Sequence, residues 1–258
     1  MKIGLSTLYL TTKPFKQAVK TLENLSGECK IWEIVDECKL RLNKLKVQTL
    51  KELKKSFSFE YTVHSPFCDI NIASINPQIR RFTLKIIKKS MMFAREIEAK
   101  MYVIHPGFYD LFNLKTTEKL NLQSVKTLAK YAEDLGVPIA LENLPKELRS
   151  LTKVEDFERF FGMIGEAKLW IALDVGHAYT VRQLNLFLEK FKDKIKHVHL
   201  HNNNGDGDFH LGLDEGSIDW KNVVRRLKEN GFNGFIVVEA TSKPFESYLK
   251  LKHFTSEL

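Results

Sequence analysis

Short runs rich in β-branched and aromatic residues recur along the chain, each followed by a longer stretch whose apolar residues return every three or four positions. Eight such runs stand out: Lys2–Thr7, Ile31–Asp36, Ser58–His64, Met101–His105, Val137–Glu142, Leu169–Asp174, Ile195–His201 and Phe235–Ala240. The stretches between and after them predict helices over 14–26, 42–56, 76–99, 116–135, 152–162, 180–190, 218–230 and 243–254. Proline stands where a first helical turn would begin, at Lys13-Pro14 and Asn76-Pro77, and Gly136 and Gly231 stand where a helix would stop. Ile171-Ala172-Leu173 and Ile236-Val237-Val238 are apolar on both faces, as in a parallel strand covered on both sides. Eight strand–helix units over residues 1–258 predict a single α/β domain closed into a (β/α)8 TIM barrel. An open doubly wound sheet would carry a glycine-rich phosphate loop after its first strand, and Leu5-Ser6-Thr7-Leu8 has no glycine.

Composition narrows the class further. The chain is 43% hydrophobic and 28% charged, with only 13 glycines and 7 prolines but 18 phenylalanines, which excludes disorder as its main state. No apolar run approaches the roughly 20 residues needed to cross a bilayer. Met1-Lys2-Ile3-Gly4-Leu5-Ser6 lacks the apolar core of a signal peptide, so a cytoplasmic location is expected. Cys29, Cys38 and Cys68 cannot all pair and show no close metal-type spacing, which fits free thiols. The net charge of +8 would attract phosphate-bearing partners, although lysine-rich pieces such as Lys51-Glu52-Leu53-Lys54-Lys55 read as solvated helix faces.

In such a barrel the chemistry collects at the C-terminal ends of the strands. From the third run onward these ends read Val63-His64, Ile104-His105, Leu141-Glu142, Leu173-Asp174 followed by His177, His197-Val198-His199-Leu200-His201, and Val238-Glu239. Gathering this many imidazoles and carboxylates on one rim without cations would bury like charges and unpaired ring nitrogens at several kcal/mol. A divalent metal relieves both costs, and nitrogen–oxygen donors without sulfur suit Zn²⁺, Mn²⁺ or Fe²⁺. Beyond the seventh run, Asp208 and His210 stand two apart, so an extended segment would point both to one side, where they can join His177.

These residues resemble the xylose-isomerase-like barrels, a superfamily of sugar isomerases and epimerases that also includes the endonuclease IV type of abasic-site endonuclease. The resemblance runs from His64 to Glu239. By similarity to endonuclease IV, it implies three zinc ions. His64, His105 and Glu142 would hold one, Glu142, Asp174, His199 and Glu239 a second, and His177, Asp208 and His210 the third. Alternation on the seventh run leaves His199 and His201 equivalent as ligands; the resemblance selects His199, with His197 buried and His201 behind the ligands or facing substrate. The single-metal isomerases are similar at Glu142, Asp174, His199 and Glu239 only. The wording Asp174-Val175-Gly176-His177 and the stretch Gly212–Trp220 look like that isomerase branch, where endonuclease IV has Asp-Thr-Cys-His.

Two enzyme classes are therefore expected. The first is a trinuclear-zinc phosphodiesterase acting on abasic-site DNA, with Glu142 holding the attacking hydroxide. The alternative is a sugar or sugar-phosphate isomerase or epimerase with one Mn²⁺ or Co²⁺ and Glu142 and Glu239 as its acid–base pair. A barrel that only binds metal or a sugar phosphate is a third reading. DNA recognition would draw on Phe67 as a wedge and Arg41 as a phosphate contact; their plain alternatives are a rim-capping ring and a solvated helix cation.

Overall fold

The computed structural model describes residues 1–258. Eight parallel strands close in sequential order into a barrel: β1 (Lys2–Ser6), β2 (Ile31–Val35), β3 (Glu60–His64), β4 (Tyr102–Ile104), β5 (Ile139–Glu142), β6 (Trp170–Asp174), β7 (Ile195–Leu200) and β8 (Phe235–Val238). Closure comes from β1 against β8, with Lys2 opposite Phe235 and Leu5 opposite Val238. Helices cover the outside: α1 (Phe15–Asn24), α2 (Lys44–Phe57), α3 (Pro77–Glu96), α4 (Leu114–Leu135), α5 (Val154–Ile164), α6 (Val175–Thr180), α7 (Leu184–Lys190), α8 (Trp220–Glu229) and α9 (Pro244–Glu257). The expected (β/α)8 architecture is borne out.

Strand periodicity sorts side chains into two cores. Ile104, Leu141, Leu173 and Val238 face outward into one cluster of 57 buried residues between sheet and helices. Their neighbours Val103, Ala140, Ala172 and Val237 face inward into a separate cluster of six inside the barrel. Two residues beyond each inward-facing position the chain delivers a side chain of the same parity: His105 after Val103, Glu142 after Ala140, Asp174 after Ala172, Glu239 after Val237. The apolar plug thus forms the floor of the rim.

One element differs from its expectation. The helix predicted over 180–190 is observed as α7, and a further short helix, α6, precedes it, the two parted at Arg182, whose φ of 58° breaks the helical path. Helix α6 starts immediately after β6, because the Asp174 carboxylate accepts a hydrogen bond from the His177 backbone N–H at 2.6 Å and so caps it. His177 therefore sits in the first turn of a helix, not in a strand extension.

The sheet–helix core sets the stability. Truncating Leu141, which is fully buried between β5 and the helices, is expected to cost about 2–5 kcal/mol in equilibrium urea unfolding without change of fold. A loss well under 1 kcal/mol would show that this layer is loosely packed.

Candidate functional site

The structure brings all nine sequence-derived donors to one end of the barrel. Their ligand atoms fall into overlapping groups, each with its atoms within 4.8 Å of one another: His64, His105 and Glu142; Glu142, Asp174, His199 and Glu239; and His177, Asp208 and His210, joined there by His201. His64 and His105 each place Nε2 3.1 Å from Glu142 Oε2. The other oxygen of Glu142 lies 3.0 Å from His199 Nδ1, which is 3.4 Å from Glu239 and 4.0 Å from Asp174. His177 Nε2 lies 3.1 Å and His210 Nε2 3.3 Å from Asp208 Oδ2.

Three of the histidines are held in the same way. A carbonyl only accepts, so Nδ1–H must donate from His64 to Ser65 O at 2.8 Å, from His177 to Asn143 O at 2.7 Å, and from His210 to Glu239 O at 2.7 Å. The Nε2 of a neutral ring then presents a lone pair to a carboxylate oxygen, an arrangement that repels unless a proton or a metal ion lies between. Asp208 Oδ1, moreover, is enclosed with no hydrogen-bond partner. The donor chemistry thus fits a divalent cation.

The electrostatics carry the same demand for positive charge. Burial opposes ionisation of Glu142, but the His199 and His105 charges outweigh it and hold its carboxyl well below the usual range. For Glu239 burial prevails and raises it, with the charges of Glu142 and Glu33 adding to the shift against those of His199 and His210. Burial would neutralise the imidazoles, yet the surrounding carboxylates lift His64 to about 8, His210 to about 9 and His177 to about 10. His105 goes the other way, lowered because its desolvation exceeds the help from Glu142.

Several placements depart from the sequence reading. Asp208 and His210 do converge, but not through extended alternation: His210 has φ 46°, and a bridge between Asn202 and Leu211 folds the segment back over the rim. His201 is fully buried and does not face the pocket. Its Nε2 lies 3.2 Å from both Asp174 oxygens, and its ring stacks on His210 at 4.0 Å between centroids. Phe67 does not project as a wedge; its half-buried ring packs 5.2 Å from His64 and 5.1 Å from His105, which walls the pocket. Arg41 is turned inward onto Asp36, with Nη1 donating to the Asp36 carbonyl at 3.3 Å and Nε 3.7 Å from its carboxylate. Cys29, Cys38 and Cys68 are free.

The sequence reading missed two supports. Glu33, fully buried in β2, faces His197 Nε2 at 2.9 Å and His199 Nε2 at 3.0 Å; its one signal is a carboxylate in the middle of the apolar run Ile31-Trp32-Glu33-Ile34-Val35. Asn143 ties β5 to β6, its side chain donating to Asp174 O at 2.9 Å and accepting from Asp174 N at 2.8 Å. The same asparagine offers its backbone carbonyl to His177.

The rim opens into a cavity of about 490 Å³ whose base includes His64, His105, Glu142, His177 and Glu239. A cavity of about 550 Å³ lies apart from these donors, between Tyr179, Arg182 and the start of α8.

A family model described as xylose isomerase-like TIM barrel matches residues 28–254. The uncharacterized protein MJ1311 of Methanocaldococcus jannaschii is 32% identical over 265 residues, which cover 100% of this chain and 89% of that protein. The crystal structure of a D-tagatose 3-epimerase-like protein superposes with a TM-score of 0.91 at 30% identity, covering 99% of this chain and 97% of that one. A probable endonuclease 4 of Mycoplasma mycoides subsp. mycoides SC is 26% identical over 160 residues, 60% of this chain and 54% of that protein. No helix is long and apolar enough to cross a membrane.

Gly176 is the position where the site's packing excludes any side chain, since a Cβ there would overlap the His201 ring. Gly176→Ala is expected to displace His201 from Asp174 and to lower stability by about 1–3 kcal/mol. Gly27→Ala, where nothing lies within 4 Å, should stay within about 0.5 kcal/mol of wild type. Equal denaturation midpoints for the two variants would contradict this packing.

Proposed function

The chain belongs to the xylose isomerase-like TIM barrel family, and from that premise we propose that it is a divalent-metal-dependent isomerase or epimerase of a small uncharged sugar, with Glu142 and Glu239 as its proton-transfer pair. The observation that carries this reading is the cavity itself. Its size suits one small molecule, Leu8, Tyr9, Phe67, Phe108 and Leu148 give it apolar walls, and no lysine or arginine lines it. Phosphate groups on DNA or a sugar phosphate are most often gripped by such side chains, so a cavity that lacks them favours an uncharged sugar. The similarity to a D-tagatose 3-epimerase-like protein over nearly the whole chain supports the same reading.

Glu142, Asp174, His199 and Glu239 would hold the metal, which as Mn²⁺, Co²⁺ or Zn²⁺ supplies polarisation of substrate oxygens. The apolar walls orient the sugar and exclude water. One of the two carboxylates takes the proton from the carbon beside the carbonyl as the C–H electron pair shifts toward the carbonyl oxygen. The other returns a proton to the opposite face of that carbon for epimerisation; for isomerisation a proton is instead returned to the former carbonyl carbon while the hydroxyl proton of the first carbon passes to the old carbonyl oxygen, so that the carbonyl moves by one carbon. His177 would contact substrate from the floor of the cavity, fixed by Asn143 through its other nitrogen.

One observation favours a second reading. His64, His105, Asp208 and His210 complete two further donor groups that a single-metal isomerase does not require, and three zinc ions there would make a phosphodiesterase of the endonuclease IV kind, the first of the two expectations from sequence.

Proton exchange separates the two. Incubation with unphosphorylated ketoses in D₂O and Mn²⁺ or Co²⁺ is expected to incorporate deuterium beside the carbonyl. Both Glu142→Gln and Glu239→Gln should lose at least about 10²-fold in rate, the lower range for positioned acid–base catalysis. Nicking of an abasic-site duplex by the zinc-loaded protein, without exchange on any ketose, would overturn the isomerase reading in favour of the phosphodiesterase.

A further inference from the structure

We infer that Glu33 is the positioning residue of His199: it fixes which ring nitrogen faces the rim and thereby sets the metal affinity of the group formed by Glu142, Asp174, His199 and Glu239. The inference rests on the metal reading of that group, not on the reaction it performs.

His199 is fully buried, so neither nitrogen can turn to water. Its Nδ1 points at Glu142 and Glu239, and its Nε2 lies 3.0 Å from Glu33 Oε1 on the opposite side. A neutral imidazole has one N–H to place. Left alone, that proton would settle on Nδ1, where the rim carboxylates would accept it, and the lone pair a metal needs would point into the barrel. A carboxylate on the Nε2 side reverses the preference: the proton goes to Nε2, the lone pair to Nδ1, and the ring becomes a stronger donor.

Glu33 is built for that task and for no contact with substrate. It sits one layer below the rim and does not line the cavity. Its Oε2 is occupied, accepting from Thr62 Oγ1 at 3.2 Å and lying 2.9 Å from His197 Nε2, which leaves Oε1 for His199. Glu33 Oε1 and His199 Nε2 are both enclosed and make no hydrogen bond as they stand, yet they lie 3.0 Å apart, so each is the nearest group able to satisfy the other once the His199 ring turns its Nε2–H onto the carboxylate. No lysine or arginine pairs with Glu33, so its charge is answered by the two histidines of β7. That explains a glutamate in the middle of an apolar strand.

The test uses the full chain loaded with Zn²⁺. Long-range ¹H–¹⁵N NMR of the imidazoles should show His199 protonated at Nε2 and metal-shifted at Nδ1 in the wild type. Chelator competition should show Zn²⁺ affinity about 10–100-fold weaker in Glu33→Leu, with loss of the fixed Nε2 proton. Glu33→Gln, which keeps an acceptor oxygen but no charge, should fall between, at least threefold weaker, and decides the matter if Glu33→Leu does not fold. Unchanged affinity and an unchanged His199 proton in Glu33→Gln would overturn the inference alone. A wild-type chain that takes up no metal would overturn it together with the metal reading beneath it.

Discussion

Buried negative charge is the constraint around which this barrel is arranged. Glu33, Glu142, Asp174 and Glu239 are all enclosed at or just below the rim, and every ion pair they make is with a histidine, none with lysine or arginine. Removing a carboxylate from water costs several kcal/mol unless good partners replace the solvent. Imidazoles are conditional partners, since each brings positive charge only when it carries a second proton or shares a metal. The chain thus concentrates at its rim a demand for positive charge that protonated imidazoles or divalent cations would answer.

The barrel produces this concentration by parity. Strands of a closed parallel sheet send alternate residues inward, and the small residues Ala140 and Ala172, with Val103 and Val237, fill the interior beneath the rim. The next inward positions then have nowhere to go but toward one another. Backbone carbonyls complete the work: Ser65, Asn143 and Glu239 each orient one histidine, so the donors are held by main chain that follows directly from strand ends. Above them a small, largely apolar cavity without lysine or arginine sets the scale of what can enter.

Much of this was legible in the sequence because it obeys a period. The eight runs, the covering helices and the strand-end donors follow from alternation and from the rule that function gathers at one face. What was not legible lacks a period. The split at Arg182 and the fold-back at His210 depend on single left-handed residues. Glu33 was missed because it lies in mid-strand, where a charge interrupts the pattern instead of ending it, and its partners on β7 lie more than 160 residues away. Phe67 and Arg41 could be placed on loops but not aimed, since aim depends on His64, His105 and Asp36 as neighbours.

Whether the rim binds a divalent cation is tested most directly by thermal unfolding after exhaustive chelation. A native state that binds the metal gains stability in proportion to the logarithm of free metal over its dissociation constant. Chelated protein should therefore melt at a lower temperature, and the melting temperature should climb steadily as Zn²⁺, Mn²⁺ or Co²⁺ is titrated back. An identical melting temperature with and without metal, in protein that elemental analysis finds empty before chelation, would contradict the account.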